Sequence, residues 1–173
     1  SRRAVAASTI NWGEPVLTSK ITRITDGQFF YRGKDAVEQS EHQTLEEVLQ
    51  LLIGVPAKAN IVIPSRFTPT SHPLPFYRIL AMIAERAALR PKVDGRPAAG
   101  LLLRLTALAA TAQPNDPDLP IHELLTRAWS KDKAASEAIR RALALCADHE
   151  LNASTYAARV AASAGASVPA SIL

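Results

Sequence analysis

Residues 148–155 read Asp-His-Glu-Leu-Asn-Ala-Ser-Thr, and they interrupt an alanine-rich run that is otherwise typical of helix. Downstream, the helical pattern resumes at Tyr156 and ends before Gly165, a common residue just past a helix C-terminus. Upstream, apolar residues recur at three- and four-residue spacing, which predicts a helix with one buried face. These upstream residues are Ile139, Ala142, Leu143 and Cys146. The stretch is therefore expected to separate two helices, with a break or a helix start within residues 151–155.

The polar residues of this stretch indicate what the break between the helices can do. Asn152, Ser154 and Thr155 compete for backbone hydrogen bonds, so they favour a helix start over a helix middle. A helix start offers free N–H groups and a partial positive charge that suit a carboxylate ligand, and His149 can add a directed donor. A lone histidine near a helix end is also commonly a capping or half-buried residue. The residues alone leave both roles open.

Two separate parts of the sequence resemble the citrate synthase family. Residues 147–155, followed by residues 158–163, closely resemble the family signature. Residues 21–36, with residues 44–48 after them, are similar to the family's N-terminal hairpin with its Tyr-Arg-Gly element and the following helix. Two matches in the right order are stronger than either alone. Residues 55–128 resemble the family only in helical character.

This resemblance implies a mostly α fold, a citrate-synthase-like multi-helical large domain with one small N-terminal β-hairpin. Residues 1–15 are expected to form an anchor or linker. Residues 16–173 are expected to form the N-terminal portion of the large domain, with the small domain absent. Some bacterial proteins of this kind carry a DNA-binding module ahead of such an anchor, so nucleic acid is expected as a partner only if that module precedes Ser1. The family also implies a cytoplasmic homodimer.

The activity that the resemblance implies is condensation of acetyl-CoA with oxaloacetate to citrate and CoA by general acid–base chemistry. In the family, the histidine matching His149 binds oxaloacetate, and the asparagine matching Asn152 helps to shape that site. The family's catalytic carboxylate and two catalytic histidines have no match here. No catalytic residue is therefore expected in this chain, and these groups are expected beyond Leu173. Acetyl-CoA and oxaloacetate are substrates, and no cofactor or metal is expected.

Two other functions stay open. The first is a catalytically silent, citrate-synthase-like domain that senses a ligand or acts as a scaffold. The residues beyond Leu173 would decide against it if they contained both catalytic histidines and the aspartate. The second is 2-methylcitrate synthase, which differs only in its acyl donor, propionyl in place of acetyl. Nothing in the sequence separates these two donors.

Composition argues against several other classes of protein. Of the 173 residues 47% are hydrophobic, which is ordinary for one compact domain. The net charge of +4 is dispersed and aromatic content is 5%, a weak case for nucleic-acid binding. No stretch approaches the roughly 18 consecutive apolar residues of a membrane span, and no signal-peptide pattern opens the chain. A soluble intracellular protein is expected, with its single cysteine, Cys146, as a small core residue.

Local signals predict the strands and the helix that follows them. Asp26-Gly27, with β-branched and aromatic residues on both sides, predicts a hairpin. Thr44 and Glu47 form a capping box that opens a helix ending at Gly54. This hairpin is expected to be the only sheet.

Further helices are expected to begin at three prolines and behind one N-cap: Pro75, Pro97, Pro120 and Asp132. The second of these is apolar nearly all round, which predicts a central position. His72 is expected in a turn, and His122 is expected to be exposed in the first turn of its helix. About six helices against two short strands indicate a mostly α fold class.

Overall fold

A small antiparallel sheet opens the described part of the chain. The computed structural model describes residues 19–54, 72–89, 95–112, 116, 118–130, 132–148, 153–166 and 170–171. The strands follow the order β1 (Thr22–Thr25), β2 (Gln28–Tyr31) and β3 (Lys34–Asp35), each antiparallel to the next. The turn between β1 and β2 is Asp26-Gly27, so the predicted hairpin is confirmed.

Both turns of the sheet use two consecutive residues with positive φ. Asp26 has φ 52° and Gly27 has φ 74°, the combination that a two-residue type I′ turn requires. Arg32, with φ 47°, and Gly33, with φ 85°, repeat this conformation before β3. The sequence does not predict β3, because a non-glycine residue in the left-handed region is uncommon and arginine gives no turn signal.

The described residues form seven helices, which confirms the mostly α fold class. They are α1 (Ala36–His42), α2 (Leu45–Ile53), α3 (Pro75–Leu89), α4 (Gly95–Thr111), α5 (Ile121–Trp129), α6 (Lys133–Leu145) and α7 (Ala153–Ser163). The prolines open their helices as predicted, except that α4 starts two residues before Pro97. Proline is tolerated there because N–H groups of the first turn have no intrahelical acceptor.

Capping side chains set the boundaries of α2 and α6. The N–H of Thr44 donates to Glu47 Oε2 at 2.8 Å, and the N–H of Glu47 donates to Thr44 Oγ1 at 3.3 Å. This is the predicted capping box. Gly54 ends α2 in the left-handed conformation, and Asp132 caps α6 by accepting a hydrogen bond from the N–H of Ala134 at 3.0 Å.

The main apolar core surrounds α4, whose central position is confirmed. Leu105 and Leu108 are fully buried there, and Met82 of α3 is fully buried beside them. A second core lies where the sheet meets α1, α2 and α6. It consists of Tyr31, Ala36, Val48, Leu52 and Ala144. Ala147, just after α6, packs against both cores.

Three arginines are buried among the described residues, and all three hold backbone carbonyl groups. Arg78 is 7% exposed, Arg104 is 4% exposed and Arg140 is 8% exposed. The acceptors are the carbonyls of Ala109, His72 and Pro73 for Arg78, Leu119 and Asp116 for Arg104, and Gln43 and Glu41 for Arg140. A carbonyl buried without a donor is costly, so these cations fix the connections between helices.

Three predictions about single residues are wrong. Ala142, expected on the buried face of α6, is exposed. Cys146 is exposed, because α6 ends at Leu145 and the C-cap conformation of Cys146 removes it from the helical face. His122 is buried in the first turn of α5, where packing against the neighbouring helices decides its environment. His72 does lie in a turn, as predicted, and its Nδ1 accepts a hydrogen bond from the N–H of Leu74 at 3.2 Å.

Candidate functional site

The predicted site lies between α6 and α7. α6 ends at Leu145 and α7 begins at Ala153, so the helix start expected within residues 151–155 is confirmed. His149 and Asn152 themselves lie outside the described residues, and their roles stay predictions. The structure therefore defines the frame of the site: the end of α6, up to Asp148, and the start of α7.

Two side chains of the hairpin hold the end of α6. The hydroxyl of Tyr31 donates to the carbonyl oxygen of Leu145 at 2.7 Å. The hydroxyl of Thr22 donates to Oδ2 of Asp148. The last carbonyls of a helix have no intrahelical partner, so the Tyr31 contact also caps α6. Sequence reasoning missed this pair of contacts.

The pairing of β1 with β2 explains why both hydroxyls reach the same place. Thr22 and Tyr31 are direct cross-strand partners, so their side chains lie on one face of the sheet. Phe29, two residues before Tyr31, shares that face, and the two rings meet edge to face with 5.7 Å between centroids. On the opposite face, the guanidinium of Arg23 lies 4.8 Å from the ring centroid of Phe30. The alternation of the strands thus directs one polar pair at α6.

The Tyr-Arg-Gly element joins three parts of the fold. Tyr31 contacts the end of α6, as described above. Arg32 donates from Nε to the carbonyl of Leu52 at 2.8 Å, near the end of α2, where a cation is also favoured by the helix dipole. Gly33 completes the turn into β3. The Tyr-Arg-Gly element, which the sequence shows as a resemblance to the family, therefore has a structural role in this chain.

Electrostatics keep the Tyr31 phenol a hydrogen-bond donor. Tyr31 is fully buried, and this burial raises its pKa above the ordinary value of 10.0. A backbone hydrogen bond from Asp148 acts in the opposite direction and its negative charge acts in the same direction, but burial has the largest effect on this pKa. The phenol is thus protonated at neutral pH and donates to Leu145.

A second anchor holds the middle of α6. Arg140 donates to the carbonyl of Gln43 at 2.5 Å and to that of Glu41 at 2.8 Å, in the connection between α1 and α2. It also pairs with Glu137, one turn earlier on α6, at 2.5 Å. The hydrogen bond from Arg140 lowers the pKa of the Glu137 carboxyl below its ordinary value. α6 is thus tied to its neighbours both at its centre and at its end.

Helix α7 is more exposed than the end of α6. None of its residues is buried within the described part of the chain. Tyr156 is 38% exposed and Val160 is 48% exposed. α7 therefore presents apolar surface next to the predicted site.

A cavity of about 260 Å³ lies away from this site, between α2, α4 and the connection to α5. Its lining includes one cationic and two acidic residues, Arg104, Glu46 and Asp118. Glu46 Oε1 accepts a hydrogen bond from the N–H of Ile121 at 2.7 Å. None of the lining residues belongs to residues 145–155. The cavity is therefore separate from the described ends of α6 and α7 that border the predicted site.

Comparison with known proteins identifies the family. The model for the citrate synthase C-terminal domain matches residues 55–173, more than half of the chain. The chain belongs to the citrate synthase family. No curated protein matches it significantly.

The match extends the resemblance and gives a class of enzyme. The matched range includes α3 to α7 and residues 148–155. It also includes residues 55–128, whose sequence resembles the family only in helical character. The sheet precedes it. The citrate synthase family is a family of acyltransferase enzymes. In the described part of the chain, no helix is both long and apolar enough to cross a membrane.

Proposed function

We propose that this chain is part of a cytoplasmic enzyme that condenses acetyl-CoA with oxaloacetate to citrate and CoA, and that His149 and Asn152 contact oxaloacetate. In this reaction the methyl group of acetyl-CoA loses a proton and its carbon forms a bond to the ketone carbon of oxaloacetate. The ketone oxygen takes up a proton, and water then cleaves the thioester to release CoA. The observation that carries the proposal is the family match, which contains both residues.

The described frame supports a site for an anion. Asn152 immediately precedes α7, and the N-terminus of a helix carries a partial positive charge. Such a terminus favours carboxylates, and oxaloacetate carries two of them. His149 immediately follows Asp148, at the other side of the break. An imidazole donor and a helix N-terminus on two sides of one break suit a small dicarboxylate with a ketone.

The proposed reaction also needs side chains that transfer protons. The catalytic carboxylate and the two catalytic histidines of the family have no match in residues 1–173, so we place them beyond Leu173 in the complete protein. Positioning of reactants and catalytic groups can account for roughly 7–11 kcal/mol of barrier lowering. Residues 1–173 alone should therefore release no thiol from acetyl-CoA above background.

We also propose that the protein forms a homodimer and that α7 lies at the contact. Tyr156 and Val160 are exposed apolar residues on α7. The small residues of α7 permit close approach of a second helix. They are Ala157, Ala158, Ala161 and Ala162. Light scattering on the full-length protein tests this, and a monomer at micromolar concentration would contradict it.

The test of the activity is thiol release by the full-length protein with acetyl-CoA and oxaloacetate, compared with a His149→Ala variant. Loss of one hydrogen bond to a charged group should lower kcat/KM for oxaloacetate. The expected loss of transition-state stabilisation is about 1.5–3 kcal/mol. The KM for oxaloacetate should rise more than the KM for acetyl-CoA. His42→Ala is the control, because His42 is exposed at the end of α1 and distant in sequence from the break.

The outcomes separate the alternatives. Turnover with propionyl-CoA in preference to acetyl-CoA would indicate 2-methylcitrate synthase. Binding of oxaloacetate without turnover of either thioester would indicate a silent ligand-sensing domain. If His149→Ala lowers only the melting temperature, His149 has a structural role.

A further inference from the structure

We infer that Tyr31 and Thr22 are positioning residues for His149, acting through the end of α6. Both belong to the sheet, which precedes the range matched by the family model, and neither is proposed to touch substrate. The inference rests on the proposed role of His149 in binding oxaloacetate. It adds that the small sheet sets where the substrate-binding stretch begins.

The first step is the covalent link between the anchored residue and the site. Consecutive Cα atoms are held about 3.8 Å apart across a trans peptide bond. His149 follows Asp148 directly, so the position of Asp148 limits the positions open to His149. Asp148 is half-buried and accepts the hydrogen bond from Thr22. A hydroxyl of the sheet thus acts one residue away from the proposed ligand.

The second step is that side-chain and backbone atoms of this segment are held together. Thr22 binds the side chain of Asp148, while Tyr31 binds the backbone carbonyl of Leu145. Fixing two points of a four-residue segment restrains its direction as well as its position. Within the described residues, both of these side-chain hydrogen bonds to residues 145–148 come from one cross-strand pair.

The third step is that the anchor itself is rigidly placed. The ring of Tyr31 is fully buried in the second core, together with Val48 and Ala144. Arg32, the next residue, is bound to the end of α2 through the carbonyl of Leu52. The hairpin therefore cannot shift along α6 without breaking packing and hydrogen bonds on two sides. Such a fixed support is what a substrate-contacting group needs in order to be held in a productive position.

The test uses Tyr31→Phe in the full-length protein, which keeps the buried ring and removes only the hydroxyl. The KM for oxaloacetate should rise on the order of fivefold, with smaller changes in kcat and in the KM for acetyl-CoA. Amide hydrogen exchange within residues 146–155 should become faster in the same variant. Thr22→Val should produce the same two effects, and Thr22→Ser, which keeps the hydroxyl, should restore wild-type values.

Thr126→Val is the matched control. Thr126 also donates its hydroxyl to a backbone carbonyl, that of His122, at 2.7 Å, but inside α5. It should leave the KM for oxaloacetate and the exchange of residues 146–155 unchanged. Equal changes in Tyr31→Phe and Thr126→Val would overturn the inference, because they would reflect general loss of stability. If the wild-type protein shows no turnover, the proposed function fails, and a lack of local acceleration of exchange in Tyr31→Phe would then overturn the inference separately.

Discussion

The two helices on either side of residues 149–152 are held in different ways. α6 is tied to the connection between α1 and α2 by Arg140 and to the sheet by Tyr31. α7 has no buried residue in the described part of the chain. Both helices are alanine-rich and of similar length, 13 and 11 residues, so composition does not explain the difference. What differs is whether another element supplies a surface and donors for the helix.

The helices on the two sides of the proposed site therefore differ in how firmly other elements hold them. Tertiary packing and specific hydrogen bonds decide the position of α6, because helical propensity alone contributes little to the stability of a helix this short. α7 ends in a turn in which the N–H of Gly165, a residue with positive φ, donates to the carbonyl of Ala162. None of its residues is buried in the described part of the chain, so its surface is available to another element. One of the two helices that border residues 149–152 is thus held by other elements, and the other is exposed in the described part of the chain.

The largest expected effect comes from removing the central anchor of α6. Arg140→Ala would leave the carbonyls of Gln43 and Glu41 without their donor and the carboxylate of Glu137 without its partner. We expect the free energy of unfolding to fall by about 2–4 kcal/mol in urea denaturation.

The neighbouring residue supplies the control for that experiment. Arg141 is exposed, and Arg141→Ala makes the same change in net charge. Its effect should stay within about 0.5 kcal/mol. Equal losses in the two variants would mean that charge, and not the contacts of Arg140, stabilises α6.

A second comparison places one substitution on each helix. Ala144 of α6 is fully buried, whereas Ala162 of α7 is exposed. Ala144→Gln should cost about 1–3 kcal/mol of unfolding free energy through overpacking, and Ala162→Gln should cost less than about 0.5 kcal/mol. If Ala162→Gln costs as much as Ala144→Gln in the full-length protein, α7 is covered there. Light scattering on that variant would then show whether a second subunit covers it.

Local sequence signals predict those parts of the fold that depend on a few neighbouring residues. The Asp26-Gly27 turn, the capping box of Thr44 and Glu47, and the N-cap Asp132 each act within three residues, and all are confirmed. Predictions that depended on distant packing were less reliable. The burial of His122 and the exposure of Cys146 follow from tertiary contacts and from where α6 ends. Periodicity alone does not fix either.

The candidate site shows the same limit. The break between α6 and α7 is predicted from Asn152, Ser154 and Thr155, because such residues favour helix starts. The contacts of Tyr31 and Thr22 with the end of α6 join residues 114 and 126 positions apart, and no local pattern encodes them. The quoted Tyr-Arg-Gly element was the one signal that pointed to this region. It identified the residue without indicating its partner.

The smallest expected effect is a pH dependence that belongs to Tyr31. Its pKa in the folded protein is raised above 10.0, mainly by burial. The unfolded chain therefore loses this proton first as pH rises, and between the two pKa values the unfolded state binds fewer protons than the folded state. Stability contributed by this group is complete below pH 10 and is lost as pH rises toward the folded pKa. The slope for one proton is at most about 1.4 kcal/mol per pH unit.

The measurement is urea unfolding of wild-type protein and of Tyr31→Phe from pH 8 to pH 11. Tyr31→Phe should be less stable by about 1 kcal/mol at pH 8, since it lacks the hydrogen bond to Leu145, and the difference should narrow above pH 10. Tyr156→Phe, on the exposed helix α7, should keep the full alkaline loss, because Tyr31 is still present. A constant difference between wild type and Tyr31→Phe at every pH would mean that the phenol ionises equally in the folded and unfolded chain. The contact of Tyr31 with the end of α6 would then be open to solvent in solution, and Arg140 alone would distinguish the support of α6 from that of α7.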